Sequence, residues 1–320
     1  MQAQTLFHQD LFHSFEAMKT TAPGMPVKAF TAMLDQRTKQ FGRTGKVNAE
    51  AFQRSFLQYV YCNSEVDELL EKEPFVCPAC SPGSCFSGWQ QETLQVPESK
   101  PFCRESPGRS VKITAGRAMC GESHWTAARE TSMRANKLDE EGVEVAVCRH
   151  GFLKGLNMYR GEIFAYPMFL QKEFQGAAFL AMDVTCRYVP NLEKVSEALT
   201  HLQPLQKMRH CLSVMHANAH NTKCEILWNA RNQKGVGTSL GEEVEQVNSF
   251  LSRCALTTKY MSKSVRTDVL TVHAIGWNQR KENGLHIALS SRFKKLCSYS
   301  RKHLRCNREP EEDAAPVALQ

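Results

Sequence analysis

The spacing of apolar side chains predicts a helical module at the start of the chain. Pro26 suits a first helical turn, and the apolar positions after it recur every three or four residues. Asn48 can cap a further helix, whose apolar face would carry Phe52 and Phe56. We therefore predict helices over residues 26–73 and assign residues 1–73 to an N-terminal helical module.

Residues 74–138 break this pattern. They are rich in Pro, Gly, Ser and Cys and show little periodicity. No Asp occurs between Asp67 and Asp139. We interpret this stretch as an irregular segment without a regular strand or helix.

Regular patterning returns from residue 139 and predicts a mixed α/β domain over residues 139–291. Strand-like residues flank an expected turn near Gly151, and "GEIFAYPMFLQKEF" favours a helix. The apolar run from Ala177 to Met182 predicts a buried strand that ends at Asp183. Strand, helix and strand in this order predict a parallel crossover unit, and ligands bind at the carboxyl edge of such sheets.

The rest of this domain has a mostly helical pattern. Residues 193–208 and 213–232 each predict one helix, and a glycine-rich turn at 235–241 leads into another. A long stretch without proline, from Ser262 to about Lys295, predicts a long helix.

Composition narrows the class of protein. The chain has 320 residues, a net charge of +7 and 42% hydrophobic residues, so it can form a sizeable core. The first residues lack the layout of a signal peptide, and no apolar run approaches the ~20 residues that span a bilayer. We expect an intracellular, soluble protein, in which the 13 cysteines are thiols or metal ligands.

Acidic residues form the first candidate site. Asp183 would end a strand, and Glu242 and Glu245 would share a face in the first turn of a helix. An Asp and a Glu brought together in this way would supply half of a two-metal Mg²⁺ site, because hard cations prefer oxygen ligands. The alternative is structural, since an acidic first turn also complements the helix dipole.

Histidine and cysteine residues form two candidate zinc sites. His216, His220 and Cys224 would lie along one helical face, where one neighbouring pair at a time could bind Zn²⁺. The alternative is a structural role, in which these side chains pack in the core and the histidine nitrogens are hydrogen-bonded. Cys77 and Cys80 form a C-x-x-C pair, which is half a zinc knuckle. Its other half would come from Cys103, Cys120 or His124.

Basic residues dominate the segment from 292 to 308, and acidic residues follow it. We therefore assign residues 292–320 to a tail that is first basic and then acidic. The segment could contact the phosphate backbone of DNA or act as a nuclear import signal, or it could be a solvated surface. Its candidate nucleic-acid contacts are Arg292, Lys294, Lys295, Arg301, Lys302 and Arg305.

Several ordered motifs resemble the Kyakuja–Dileera–Zisupton (KDZ) transposases. They are "AMDVTCRY", "HANAH" followed by Cys224, "GVGTSLGEEVEQVNSFLS" and "TTKYMS". Upstream, "PGMPVKAF", "LDQRT" and "PFVCPACSP" resemble the segment that precedes the catalytic domain of this family. The resemblance covers roughly residues 15–82 and 117–292.

The resemblance implies an RNase H-like fold with a DDE triad that cuts and joins DNA in the nucleus using two Mg²⁺ ions. It implies that Asp183, in a D-x-x-C context with Cys186, is the second carboxylate. Glu242 or Glu245 would be the third, and the Glu245–Gln246 pair favours Glu245. The first carboxylate should be an Asp in a "DGN" turn.

This chain departs from the family at that turn. After "CPACSP" it continues without an Asp and without a strand pattern, and the resemblance returns near residue 117. A shifted reading frame across residues 82–117 would produce such a change. We therefore expect an incomplete RNase H-like core with no first catalytic Asp, and an inactive enzyme. The alternatives are a non-enzymatic module that binds nucleic acid or protein, and a translated relic with no stable fold.

Overall fold

The computed structural model describes most of the chain outside the irregular segment. The segment from 82 to 117, including Cys103, lies outside the described residues, as do the side chains of Cys120, His124, Lys302 and Arg305. The described residues are 5–70, 75, 77–80, 118–120, 123–125, 140, 142–158, 163–174, 176–236 and 241–306.

Three helices form the N-terminal part of the structure: α1 (Gln9–Thr21), α2 (Val27–Gln40) and α3 (Ala49–Leu69). The prediction of helices after Pro26 and Asn48 is confirmed. The Asn48 side chain accepts hydrogen bonds from the amides of Glu50 and Ala51, which satisfies two donors of the first turn of α3.

Phenylalanine rings fill the core between these helices. The helices α1 and α3 both contribute, and α2 adds Phe30. Val272, from the last helix of the chain, closes the same cluster. The N-terminal helices are therefore packed against the C-terminal part of the chain. The buried rings are Phe12, Phe15, Phe30, Phe52 and Phe56.

Two antiparallel hairpins follow. Strand β1 (Ala118–Cys120) pairs with β2 (Ser123–Trp125), and β3 (Gly142–Val147) pairs with β4 (Leu153–Met158). The turn predicted near Gly151 is confirmed. Gly151 adopts a φ of 89°, which glycine reaches without the steric cost of a β-carbon.

A parallel pair of strands carries Asp183. Strand β5 (Phe179–Ala181) pairs in parallel with β6 (Arg209–Cys211), and the crossover consists of α5 (Thr185–Ala198) and a 3₁₀ segment (Thr200–Lys207). The partner differs from the prediction, because β5 pairs with the strand that follows it rather than with one before α4 (Ala165–Glu173). The predicted buried strand is also shorter and only partly buried, since a two-stranded sheet leaves an edge open.

The prediction of a single helix over residues 213–232 is wrong. The structure has two helices there, α6 (Val214–Ala217) and α7 (Thr222–Trp228). The side chain of Asn221 accepts a hydrogen bond from the amide of Cys224 and so starts a new helix. His216 therefore does not share a helical face with His220 and Cys224.

Two of the last three helices, α8 (Glu243–Leu251) and α10 (Lys263–Cys306), pack against the β3–β4 hairpin. Helix α8 and the short α9 (Ala255–Thr258) lead into α10, so the predicted long helix is confirmed and is longer than expected. Residues 292–306 continue α10 without interruption. No helix in the described part of the chain is both long and apolar enough to cross a membrane.

Candidate active site and metal clusters

A fixed turn positions Asp183. Asp183 lies two residues beyond the end of β5. The Thr185 hydroxyl, which is buried, lies 2.9 Å from the carbonyl oxygen of Met182 and 2.8 Å from that of Cys211. The amide of Met182 also donates to the Cys211 carbonyl, which extends the β5–β6 pairing by one residue. These bonds hold the backbone on both sides of Asp183.

The structure brings Asp183 and Glu245 together on either side of His216. His216 Nδ1 lies 3.2 Å from Asp183 Oδ1, and His216 Nε2 lies 3.8 Å from Glu245 Oε1. One ligand atom from each of the three residues falls within 4.8 Å of the others. Carboxylates that share a metal site must lie within about 8 Å of each other, and Asp183 and Glu245 meet this condition. His216 was expected among zinc ligands, and the division of the predicted helix explains its different position.

Glu242 serves a different purpose from Glu245. Its Oε1 accepts a hydrogen bond of 2.9 Å from the amide of Met215, in the first turn of α6. This bond links the start of α8 to α6 and leaves Glu242 outside the group of Asp183, His216 and Glu245. The geometry therefore favours Glu245 as the acidic partner of Asp183.

The electrostatics of Asp183 reflect its surroundings. Burial raises the pKa of Asp183 above its ordinary value. His216 opposes this shift, the Glu245 carboxylate adds to it, and His220 opposes it. A bound cation would stabilise the charged form of Asp183, which burial and the neighbouring carboxylate disfavour.

A group of three soft ligands lies beside Asp183. Cys186 Sγ lies 3.6 Å from His220 Nδ1, and Cys224 completes the group within 4.8 Å. His220 Nε2 lies 2.9 Å from the carbonyl oxygen of Asp183, so an N–H at Nε2 would leave the Nδ1 lone pair facing Cys186. Burial lowers the pKa of His220, which favours the neutral imidazole that binds metals. The group could hold a metal such as zinc.

A second soft group contains Cys77 and Cys80. Their partners in the structure are Cys148 and His150, in the β3–β4 turn, rather than the expected Cys103, Cys120 or His124. The "CRHG" sequence offered the signal for this pairing, because C-x-H at a tight turn presents two ligands as C-x-x-C does. These four residues could also hold a metal such as zinc.

Comparison with known families agrees with the motifs around these sites. The family model of the Kyakuja-Dileera-Zisupton transposase matches residues 66–278, more than half of the chain. The chain belongs to this family. The matched KDZ range is shorter at both ends than the predicted one, but it contains the Asp183 group and both soft groups. No curated protein and no solved structure matches the chain.

The DDE triad that the family resemblance implies would need a third carboxylate. Among the residues that the structure describes, the group around Asp183 and Glu245 contains no third acid. Its remaining member is an imidazole, which is not the hard oxygen ligand that Mg²⁺ prefers. The described site therefore offers two carboxylates where a DDE transposase uses three.

The predicted nucleic-acid contacts, which lie beyond the KDZ match, are on α10. Arg292 donates a hydrogen bond of 2.8 Å to the carbonyl of Arg149, in the β3–β4 turn. Lys294, Lys295 and Arg301 are exposed. Between Asn283 and Arg308 the chain has no acidic residue, so all the charged side chains at this end of α10 are positive.

Proposed function

We propose that this chain is a transposon-derived DNA-binding protein with an incomplete, catalytically inactive DDE site. The observation that carries the proposal is the group of two carboxylates and one imidazole around Asp183. The parallel β5–β6 pair, with Asp183 just beyond its end, is proposed as the remnant of an RNase H-like core. The proposed location is the nucleus, where DNA is found.

The ligand chemistry supports inactivity. In DDE sites two Mg²⁺ ions activate the attacking oxygen and stabilise the leaving oxygen. Asp183 and Glu245 have the oxygen ligands to hold one such ion. A second ion would need a further carboxylate, which the family places in the "DGN" turn that this sequence lacks. The residues that the structure describes around Asp183 therefore fit one hard cation and not the pair.

We predict that the chain neither nicks DNA nor transfers strands. The measurement is an assay on supercoiled plasmid and on labelled duplex ends, with Mg²⁺ and with Mn²⁺. Asp183→Ala should leave the signal at background, because there is no activity to remove. A version in which the segment 82–117 is replaced by a family segment with "DGN" is the positive comparison.

The same assay can contradict the proposal. Metal-dependent cleavage by the unmodified chain that Asp183→Ala abolishes would mean that a complete site exists. Glu242→Gln provides a matched control in the restored version, since Glu242 bonds to the α6 backbone rather than to Asp183. The restored version should tolerate Glu242→Gln better than Glu245→Gln, because Glu245 is the acid beside Asp183.

The surface of α10 supports DNA binding without cleavage. Basic residues alternate there with exposed Phe293, Leu296 and Tyr299, so long cations and planar rings lie on the same stretch of helix. Cations of this kind contact the phosphate backbone without reading sequence. We expect weak binding, with Kd on the order of micromolar to 0.1 mM at physiological salt.

Neutralising this surface should weaken DNA binding. We predict that the triple change of Lys294, Lys295 and Arg301 to Gln lowers affinity about tenfold or more and flattens the slope of log K against log salt by roughly 2 to 3. Fluorescence anisotropy of a labelled duplex over a range of salt measures both effects. The control changes three exposed cations to Gln: Lys39 at the end of α2, and Arg43 and Lys46 in the loop between α2 and α3.

Equal losses in the two triple variants would mean that net charge alone sets the affinity. Binding by neither variant nor the unmodified chain would favour the alternative, a module that contacts protein.

A further inference from the structure

Two tight turns face each other beside the end of α4. In the first, the amide of Cys80 donates to the carbonyl of Cys77 at 3.0 Å. In the second, the amide of Gly151 donates to the carbonyl of Cys148 at 2.8 Å. Each turn presents two side chains on a short loop, which is the layout of a zinc knuckle.

The four side chains converge between the turns. His150 Nδ1 lies 3.5 Å from Cys77 Sγ and 3.6 Å from Cys80 Sγ. One ligand atom from each of the four residues lies within 4.8 Å of the others. The three cysteines are thiols rather than disulfide partners. A disulfide could join only two of them, which would leave a third sulfur and an imidazole at the same point.

The three sulfurs are largely shielded from solvent. Cys77 is buried, and Cys80 and Cys148 are partly buried. Cysteine binds metals as the thiolate, and a cation bound among these sulfurs would stabilise that charged form.

We propose that Cys77, Cys80, Cys148 and His150 bind one structural zinc ion. Four protein ligands complete a tetrahedral set and leave no position for water or substrate, which is typical of structural rather than catalytic zinc. The site is independent of DNA chemistry and does not rest on the proposed function.

The position of the site explains what the ion would hold. Cys77 packs with Phe152 and with Leu285 of α10 in a small buried cluster. Trp277 of the same helix donates a hydrogen bond of 2.8 Å to the carbonyl of Gly151. The ion would therefore fasten the segment around residues 77–80 to the hairpin turn on which α10 rests. These two parts of the chain are about 70 residues apart in sequence, so a cross-link between them restricts the unfolded chain strongly.

The test measures metal in the full chain, purified without chelator. Zinc content comes from mass spectrometry of the metal, and Co²⁺ replacement gives an absorption spectrum that reports the ligand type. Cys148→Ser should lower the zinc content by about one equivalent per chain. Cys62→Ser changes an exposed cysteine outside the group and should leave the zinc content unchanged. Cys224→Ser removes a ligand from the other group, beside Asp183. Zinc that is lost in Cys148→Ser but kept in Cys224→Ser is therefore bound at the proposed site.

A conservative variant keeps the proposal testable if Cys148→Ser does not fold. His150→Cys should retain zinc and shift the Co²⁺ spectrum toward that of four sulfur ligands. In the unmodified chain, Cys77, Cys80 and Cys148 should resist alkylation until a chelator is added, whereas Cys62 should react in both conditions. An unmodified chain without zinc, or equal alkylation of the three cysteines before and after chelation, would overturn the proposal.

Discussion

Replacing Asn278 by Ala should lower the free energy of unfolding by about 4 kcal/mol, since it leaves two buried backbone groups without partners. Asn278 lies on α10 and is fully buried. Its Oδ1 accepts a hydrogen bond of 2.8 Å from the amide of Leu153, and its Nδ2 donates one of 3.0 Å to the carbonyl of the same residue. The side-chain amide thus pairs with the first residue of β4 as a neighbouring strand would.

Charge and pH distinguish this cause from a simple loss of volume. Asn278→Asp keeps an acceptor for the Leu153 amide but places a carboxylate opposite the Leu153 carbonyl. Burial and this repulsion raise the folded pKa of the introduced carboxyl above its unfolded value. Its protonated form restores the donor, so the deficit relative to the unmodified chain should be small at low pH and grow as pH rises through the folded pKa.

Denaturant unfolding and hydrogen exchange of the Leu153 amide measure these effects. Gln279→Ala, in the exposed residue next along α10, is the matched control and should change stability by less than about 0.5 kcal/mol. An Asn278→Ala variant as stable as the control would mean that water or a shifted backbone replaces both bonds.

Replacing Phe52 by Ala should cost about 3 to 5 kcal/mol, because a large buried ring is removed and the cavity closes only in part. Phe52 has no exposed surface. Its ring centroid lies 5.3 Å from that of Phe7 and 5.5 Å from those of Phe12, Phe15 and Phe30. The ring therefore contacts residues before and within α1 and on α2, and its loss loosens all three N-terminal helices together.

The comparison with an exposed ring isolates the effect of burial. Phe41→Ala removes the same atoms from a side chain that is 64% exposed, so it should change stability by less than about 0.5 kcal/mol. Guanidinium unfolding followed by circular dichroism measures the change in the free energy of unfolding. Hydrogen exchange in α1–α3 shows which helices are affected. Similar losses in both variants would contradict the assigned core position.

Local signals in the sequence were sufficient for several elements. Asn48 has an oxygen that caps a helix, Gly151 allows a left-handed turn, and the stretch after Ser262 has no proline to end α10. Such signals act between residues that are close in sequence, so they could be recognised without tertiary information. The partner of β5 could not, because pairing depends on how the crossover folds back.

The candidate sites were predictable only in part for the same reason. Asp183 and Glu245 were candidates from their positions at a strand end and a helix start, and the family motifs favoured them. The structure places them on either side of His216. The position of His216 depends on the new helix that Asn221 starts, which competes with continued helix over a few residues. Cys148 and His150 were missed because they meet Cys77 only through tertiary contacts, about 70 residues away in sequence.

The position of α10, the last helix among the described residues, has a consequence for synthesis on the ribosome. Its side chains complete the phenylalanine cluster through Val272, the hairpin core through Ala274 and Trp277, and the cysteine cluster through Leu285. These three cores stay incomplete until the last of these residues has left the exit tunnel, so their apolar side chains remain exposed on the nascent chain until then. Exposed apolar surface of this kind favours aggregation, so we expect chaperones to bind the nascent chain at this stage. Premature termination before residue 263 would leave every one of these three cores unfinished.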